Sequence, residues 1–252
     1  MERVTKRRIC RHADGFVEEV EDSLALETKV RVSVNSKEVL SLYCTPHMIR
    51  ELVVGLVMTE GIIKGGWCAE RMSVEYGEDI RVNIPAEGEV STGGRTMTSG
   101  CVGGVTFDGK AGAEPLQDTF SVDRETLRNA YRDFQTRSEL YHLTGCIHSA
   151  ALSDGRSLLC FAEDIGRHNA VDKVIGYMVL EHIPFACTIM LASGRISSEI
   201  ASKCARWGIP VLVSRTAPTH LAVEIAEKSG VTIVGFMRGN RFNIYSHPQR
   251  IV

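Results

Sequence analysis

The stretch CTIMLASGRISSEIASKCARWGIPVLVSRTAPTHLAVEIAEKSGVTIVGFM (187–237) decides the fold. It holds three short, largely apolar runs, CTIMLA (187–192), PVLVSR (210–215) and VTIVGFM (231–237). Between them, 197–207 and 219–229 read as helices. Largely apolar strands alternating with amphipathic helices predict a parallel-type sheet covered on both faces. The same alternation continues outward. A helix is expected over 167–182, with Ala170, Val171, Val174, Ile175, Met178 and Val179 on one face. CIHSAALSDGRSLLCFAED (146–164) reads as two strands around a Ser-Asp-Gly turn, and RFNIYS (241–246) as a last short strand. Residues 123–141 read as a charged helical connector.

The first half has a different character. VRVSVN (30–35) and KEVLSLYC (37–44) predict a hairpin turning near Asn35–Ser36. PHMIRELVVGLVMTEGII (46–63) predicts a helix between Pro46 and Gly61. RMSVEY (71–76) and IRVNIP (80–85) read as short strands divided at Gly77. Residues 86–118, rich in Gly, Ser, Thr and Glu, read as strand fragments ending in a mobile linking segment. The expected division is a smaller β-rich N-terminal domain with one helix over 1–118 and an α/β domain over 119–252.

Composition narrows the function classes. The chain has 252 residues, 44% hydrophobic and 24% charged, with a net charge of -2. That balance excludes a general polyanion binder, so no nucleic-acid partner is expected. There is no run of 18 apolar residues, and MERVTKRRIC at the N-terminus lacks the apolar core of a signal peptide. A cytoplasmic protein with no membrane partner is the expectation. Eight cysteines stand at 10, 44, 68, 101, 146, 160, 187 and 204, none forming C-x-x-C. This removes the usual zinc and thioredoxin-type readings, so no metal site is expected. Most of these cysteines are expected to be reduced and buried.

Chemistry concentrates where the strands of the second half end. SGRISSE (193–199) carries Gly194 and Arg195, RTAPTH (215–220) carries Arg215 with Thr219 as an N-cap, and MRGNR (237–241) carries Arg238, Gly239 and Arg241. In an open α/β sheet such turns share the ligand-binding edge, and helix N-termini there favour anions. Four arginines on one edge suggest an anionic ligand carrying phosphates. The plain alternative is a set of exposed arginines in weak surface pairs. EDIGRHNAVDK (163–173) places Arg167 and His168 in the first turn of a helix that Asp164 could cap. Cations there oppose the dipole; either an anionic partner or salt bridges to Glu163 or Asp172 would account for them. His148, in TGCIHSA (144–150), is either a satisfied strand histidine or a catalytic one. TSGCVGG (98–104) surrounds Cys101 with Gly100, Gly103 and Gly104. Such a loop suits a movable nucleophilic thiol, or else holds an incidental cysteine in a tight turn.

Taken together, LVVGLVMTEGII, TSGCVGG, TGCIHSAAL, EDIGRHNAVDKVIG, SGRISSEI, SRTAPTHLAVEIA and GFMRGNRFNIYSHPQRI resemble the FdhD/NarQ family of formate dehydrogenase accessory sulfurtransferases, in order from about residue 50 to 252. The resemblance implies a C-terminal three-layer α/β/α domain similar to the cytidine-deaminase fold. The deaminase zinc signature, H-x-E with P-C-x-x-C, is not present, so deamination is a poor reading. The implied role is transfer of persulfide sulfur from a cysteine desulfurase to the bis(molybdopterin guanine dinucleotide) molybdenum cofactor, bound as substrate, for apo-formate dehydrogenase. Carried over, Cys101 would hold the persulfide. Phe236, Met237, Arg238, Gly239, Asn240 and Arg241 would bind the guanine-nucleotide end, with Gly194, Arg195, Arg215, His148, Arg167 and His168 completing the cofactor site. Many members have C-x-x-C in the loop; here a single cysteine precedes Val102, Gly103 and Gly104, which excludes a two-cysteine relay but leaves one carrier thiol chemically sufficient. The rival reading is a non-catalytic chaperone that binds the cofactor and hands it on. A nucleotide hydrolase is disfavoured because no phosphate-binding G-x-x-x-x-G-K-[ST] loop occurs. A homodimer is the expected assembly.

Overall fold

The computed structural model describes residues 1–90, 95–97, 105–107, 115–117 and 119–252. The chain opens with β1 (Val4–Ala13) and β2 (Phe16–Ala25), a two-stranded ribbon turning at Asp14–Gly15. Next come β3 (Thr28–Val34), β4 (Lys37–Cys44), α1 (Ile49–Thr59), β5 (Ile63–Lys64), β6 (Ser73–Glu75), β7 (Ile80–Ile84) and β8 (Glu89–Val90). β9 (Arg95–Met97) and β10 (Val105–Phe107) pair with each other. Much of the 86–118 segment lies outside the described residues.

The second half runs α2 (Arg124–Thr136), α3 (Glu139–Thr144), β11 (His148–Ser153), β12 (Leu158–Asp164), α4 (Arg167–Leu180), β13 (Ile189–Ala192), α5 (Ser198–Arg206), β14 (Val211–Ser214), α6 (His220–Ser229), β15 (Thr232–Arg238) and β16 (Arg241–Ile244). The protein is therefore mixed α/β. The main sheet has the order β12-β11-β13-β14-β15-β16. Only β13, β14 and β15 are parallel, joined through α5 and α6; the other pairings are antiparallel. The expectation of a parallel-type sheet thus holds for its centre alone. The reason is loop length: β11–β12 and β15–β16 are joined by short turns, which permit only antiparallel neighbours.

Side-chain alternation builds a layer on each face of this sheet. Ala150, Leu152, Met190, Leu212 and Ile233 pack under α4, α5 and α6. Ala151, Leu191, Val213 and Val234 pack under α2. A separate core forms where β4-β3-β7-β6 meets α1, through Val30, Val32, Leu52, Val53, Val57 and Ile80. The β3–β4 hairpin turns at Asn35 and Ser36, both with positive φ, as the Asn-Ser signal predicts.

The two halves meet along α1 and α4, and the contact is backbone to backbone. A Cβ on Gly55 would lie 1.9 Å from the Asp172 carbonyl oxygen, and one on Gly176 would lie 1.8 Å from that of Glu51. Charges are buried on both sides of the crossing. Lys203 Nζ lies 2.6 Å from Asp172 Oδ1 and 3.1 Å from Glu60 Oε1, and Thr59 Oγ1 donates to Asp172 at 2.9 Å. Lys173, fully buried, pairs with Asp164 at 2.7 Å and donates to the carbonyls of Thr45 and Glu163. Among the described residues no helix is long and apolar enough to cross a membrane.

The Gly176→Ala variant is expected to lose about 3 kcal/mol of stability, because its new methyl has nowhere to go but into α1 backbone. Urea unfolding measures this; a loss under about 1 kcal/mol would show that the helices need not touch here.

Candidate functional site

The ends of the three parallel strands are stitched into one edge. Ser214 Oγ donates to the Gly194 carbonyl at 2.7 Å. Ile196 N donates to Ala217 O at 3.3 Å, Thr219 N to Ile196 O at 2.9 Å, and Phe236 N to Thr216 O at 3.2 Å. The turns after β13, β14 and β15 are therefore neighbours. Thr219 caps α6 as expected, its hydroxyl accepting from Ala222 N at 3.3 Å.

At this edge Arg195, Arg215, Arg238 and Arg241 are exposed, and none forms a salt bridge among the described residues. Their exposure fits the plain alternative, but the weak surface pairs it includes are absent among the described residues. Arg238 stacks over the Phe236 ring at 5.8 Å and faces Arg241 across the β15–β16 turn. Asn240 accepts from Arg128 at 3.4 Å, while Met237 is buried in the core under α2, where its side chain serves packing. Phe236 has a φ of 52°, and Gly239, at the turn, one of 55°.

The start of α4 differs from the expectation. Asp164 does not cap it; Gly166 is the cap residue, with no side-chain bond. Asp164 is fully buried, with Oδ2 paired to Lys173 and Oδ1 accepting from Gly166 N and Asn169 Nδ2, both at 2.8 Å. Nor do Glu163 and Asp172 pair with Arg167 or His168. Glu163 accepts from Ser138 Oγ at 2.6 Å, and Asp172 binds Lys203. Asp172 is held by the buried network, because leaving Lys203 uncompensated would cost more than an unneutralised helix start, while Glu163 is turned towards Ser138 and the Leu140 N–H. Arg167 is left with a buried Nε that has no hydrogen-bond partner among the described residues.

His148, Arg167, His168, Gly194 and Arg195 come together. A Cβ on Gly194 would lie 3.0 Å from Arg167 Cβ and 3.3 Å from His148 Nδ1, so glycine is needed for the approach. His148 Nδ1 is 3.3 Å from Ser193 Oγ, which accepts from Ser149 N at 2.9 Å. Burial first, then Arg167 and His168, push the His148 imidazole below its ordinary range. His168 Nε2 lies 3.0 Å from Ser197 Oγ and 3.5 Å from Glu199 Oε2. The hydrogen bond from His168 pulls the Glu199 carboxyl down to about 2 against the opposing effect of burial. Ser193, Ser197 and Glu199 lie within the quoted SGRISSE run, but the sequence alone assigned them no role.

Beside this group a cavity of about 590 Å³ opens between α2, α3 and the start of β11. Tyr131, Phe134, Tyr141, His142, Cys146 and Arg215 line it together with His148. Aromatic walls with a guanidinium at the rim suit a flat, polar ring system. Among the described residues no group of three or more His, Cys, Asp or Glu side chains could hold a metal ion.

Cys101, with Gly100, Gly103 and Gly104, lies outside the described residues. Among the others, Cys44, Cys160 and Cys204 are buried, Cys10, Cys146 and Cys187 are exposed, and Cys68 is intermediate. The expectation that most cysteines are buried is overturned: Cys10 and Cys187 stand on an exposed ribbon and an exposed turn, and Cys146 at a cavity. Burial pushes each of the three interior thiols up to about 12.

Comparison with known proteins now adds to this geometry. The model of the FdhD/NarQ family matches residues 25–252. The sulfur carrier protein FdhD of Bacillus licheniformis is 34% identical over 255 residues, spanning 98% of this chain and 97% of that one. Its namesake from Sulfolobus acidocaldarius is 35% identical over 251 residues, with 98% of each chain covered. The crystal structure of a protein assigned as a formate dehydrogenase accessory protein, from Desulfotalea psychrophila, superposes with a TM-score of 0.79 at 27% identity over 100% of both chains.

Two outcomes are expected. In native protein a thiol reagent should modify Cys10, Cys146 and Cys187 and spare Cys44, Cys160 and Cys204 until denaturant is added, as peptide mass mapping would reveal. Glu199 is depressed from 4.5 to about 2 in the folded state, so its stabilisation is fully present above 4.5 and disappears as pH falls through 2. Glu199→Gln should therefore be less stable than wild type at neutral pH, with the gap closing over that acid range in urea titrations at stepped pH.

Proposed function

The chain belongs to the FdhD/NarQ family, and we propose that it is a sulfur carrier for formate dehydrogenase, moving persulfide sulfur to the bis(molybdopterin guanine dinucleotide) molybdenum cofactor held as its substrate. A cysteine desulfurase is the donor. The Cys101 thiolate attacks the terminal sulfur of the donor's persulfide; a new S–S bond forms at Cys101, the donor's S–S bond breaks, and its electron pair leaves on the donor thiolate. No net oxidation is involved in that exchange.

The observation that carries the reading is the uncompensated positive edge of the main sheet. Exposed Arg195, Arg215, Arg238 and Arg241 form no ion pair among the described residues, and Arg167 keeps a buried donor without a partner. An unsatisfied buried donor is unfavourable by about 1–3 kcal/mol, and a phosphate oxygen is the kind of acceptor that would relieve it. The open N-termini of α4 and α5, bridged by the His168–Ser197 bond, add two positive dipole ends to the same place. The aromatic cavity beside them would take a flat heterocycle. In this reading Gly194 and Gly239 let backbone approach the nucleotide, while His148, Arg167 and His168 face its charge.

The two halves of the function separate by mutation. Cys101→Ala should lose reducible radiolabel delivered from a desulfurase charged with labelled cysteine, while binding GDP as wild type does. Arg238→Ala together with Arg241→Ala should keep the label and weaken GDP binding by roughly a hundredfold, about two charge-assisted hydrogen bonds. Normal formate dehydrogenase maturation with Cys101→Ala, but not with the double arginine variant, would replace sulfur transfer with the chaperone reading.

A further inference from the structure

A carboxylate is out of place beside a group that gathers phosphate. Asp164 is occupied by Lys173, Asp172 by Lys203, and Glu163 by Ser138. Among the described residues Glu199 alone sets its carboxylate against this group, 3.5 Å from His168 Nε2 on a side chain only 14% exposed. Simple electrostatics says it should weaken anion binding there. We propose that it does the reverse: Glu199 is a positioning residue that, alongside Ser197, turns the Nε2–H edge of His168 towards α5 and leaves Nδ1 to donate to a phosphate oxygen. This deepens the reading given above and rests on it for the identity of the ligand.

The hydrogen-bond directions carry the argument. A carboxylate can only accept, so His168 Nε2, which lies 3.5 Å from Glu199 Oε2, presents a hydrogen to it. Ser197 Oγ, 3.0 Å from the same nitrogen, accepts beside it. Nε2 must therefore carry hydrogen. No hydrogen bond occupies Nδ1 among the described residues. A neutral ring in this tautomer would present a lone pair at Nδ1, which repels a phosphate. A charged ring presents a second N–H at Nδ1, with the Glu199 carboxylate 3.5 Å from its other edge as counter-ion. Of the charged groups acting on the adjoining His148, Arg167, His168 and Arg195 are cationic and Asp164 alone is acidic, its oxygens already taken by Lys173, Gly166 and Asn169. His148 is the contrasting member of the pair: burial first, then Arg167, His168 and Arg195, push its imidazole down, against Asp164, which raises it.

The test uses full-length protein, calorimetric titration with GDP, inorganic pyrophosphate and guanosine, and nitrogen-15 spectra of labelled histidine. Glu199→Gln should bind GDP and pyrophosphate roughly tenfold more weakly, the loss of one charge-assisted bond, and guanosine as wild type does. Glu199→Asp should recover much of that loss. At a pH where imidazoles are neutral, the His168 signal of wild type should report the proton on Nε2. Unchanged or tighter pyrophosphate binding by Glu199→Gln would overturn the proposal, as would equal losses for pyrophosphate and guanosine, or a His168 proton found on Nδ1. If wild type binds pyrophosphate but not GDP, the guanine-nucleotide reading falls while the role of Glu199 is judged on pyrophosphate; if it binds neither, both fall.

Discussion

Gly55 and Gly176 let two helix backbones touch, and the arrangement of everything else follows from that contact. With a side chain at either position the helices would have to separate by more than a methyl radius, since the missing Cβ atoms would fall within 2 Å of carbonyl oxygens. Close approach brings the polar surfaces of α1 and α4 into a region without water. Lys203, Asp172, Glu60 and Thr59 then have to satisfy one another, as do Lys173, Asp164 and Thr45. Such buried pairs add little net stability over well-packed apolar residues, but breaking one by removing a partner costs about 3–5 kcal/mol. Their effect is to select one docking of the N-terminal layer on the main sheet and to penalise the others.

This network also explains the charge of the candidate site. The acids nearest the start of α4 are drawn away from it into the interior. Asp164 sits two residues before the cap of α4, yet both its oxygens are committed, to Lys173 and Thr45 on one side and to Gly166 and Asn169 on the other. Among the described residues Arg167 is consequently without a carboxylate, and the helix dipole that it opposes gains nothing from Asp164. A structural requirement in the interior thus produces an electrostatic surplus at the surface, a few residues along the same helix.

What could be read from the sequence, and what could not, divides along physical lines. The strands and helices of 187–237 were legible because burial on both faces makes the strands nearly continuous in apolar residues, and because each helix between them is amphipathic. Strand order was not: β11 and β12 read as two strands around a Ser-Asp-Gly turn, but nothing in their residues shows that β11 lies between β12 and β13. The β1–β2 ribbon went unread although Asp14–Gly15 is a strong turn signal, because strands exposed on both faces lose the apolar alternation that identifies one. At the site, the residue types and their clustering at strand ends were visible, whereas the direction of each hydrogen bond was not. Asp164 is the clearest case. Its position before a helix looks like a cap, and only the three-dimensional location of Lys173 shows why it is not.

The register of α4 against α5 shows how stability and function share one device. His168 and Asp172 are one turn apart on α4, and Glu199 and Lys203 are one turn apart on α5. Each pairs across with its counterpart, and the polarity of the two pairs is reversed. A slip of one turn would set His168 against Lys203 or Asp172 against Glu199, bringing like charges together, so the pattern admits a single alignment. The inner pair is buried and shut off from solvent, whereas the outer pair opens on the cationic edge, with His168 17% exposed. The inner pair can therefore hold the helices in place without taking part in any chemistry. The outer pair adds its own stabilisation at neutral pH and, with the Nε2 edge of His168 held towards α5, presents the other edge of the ring to the cationic site.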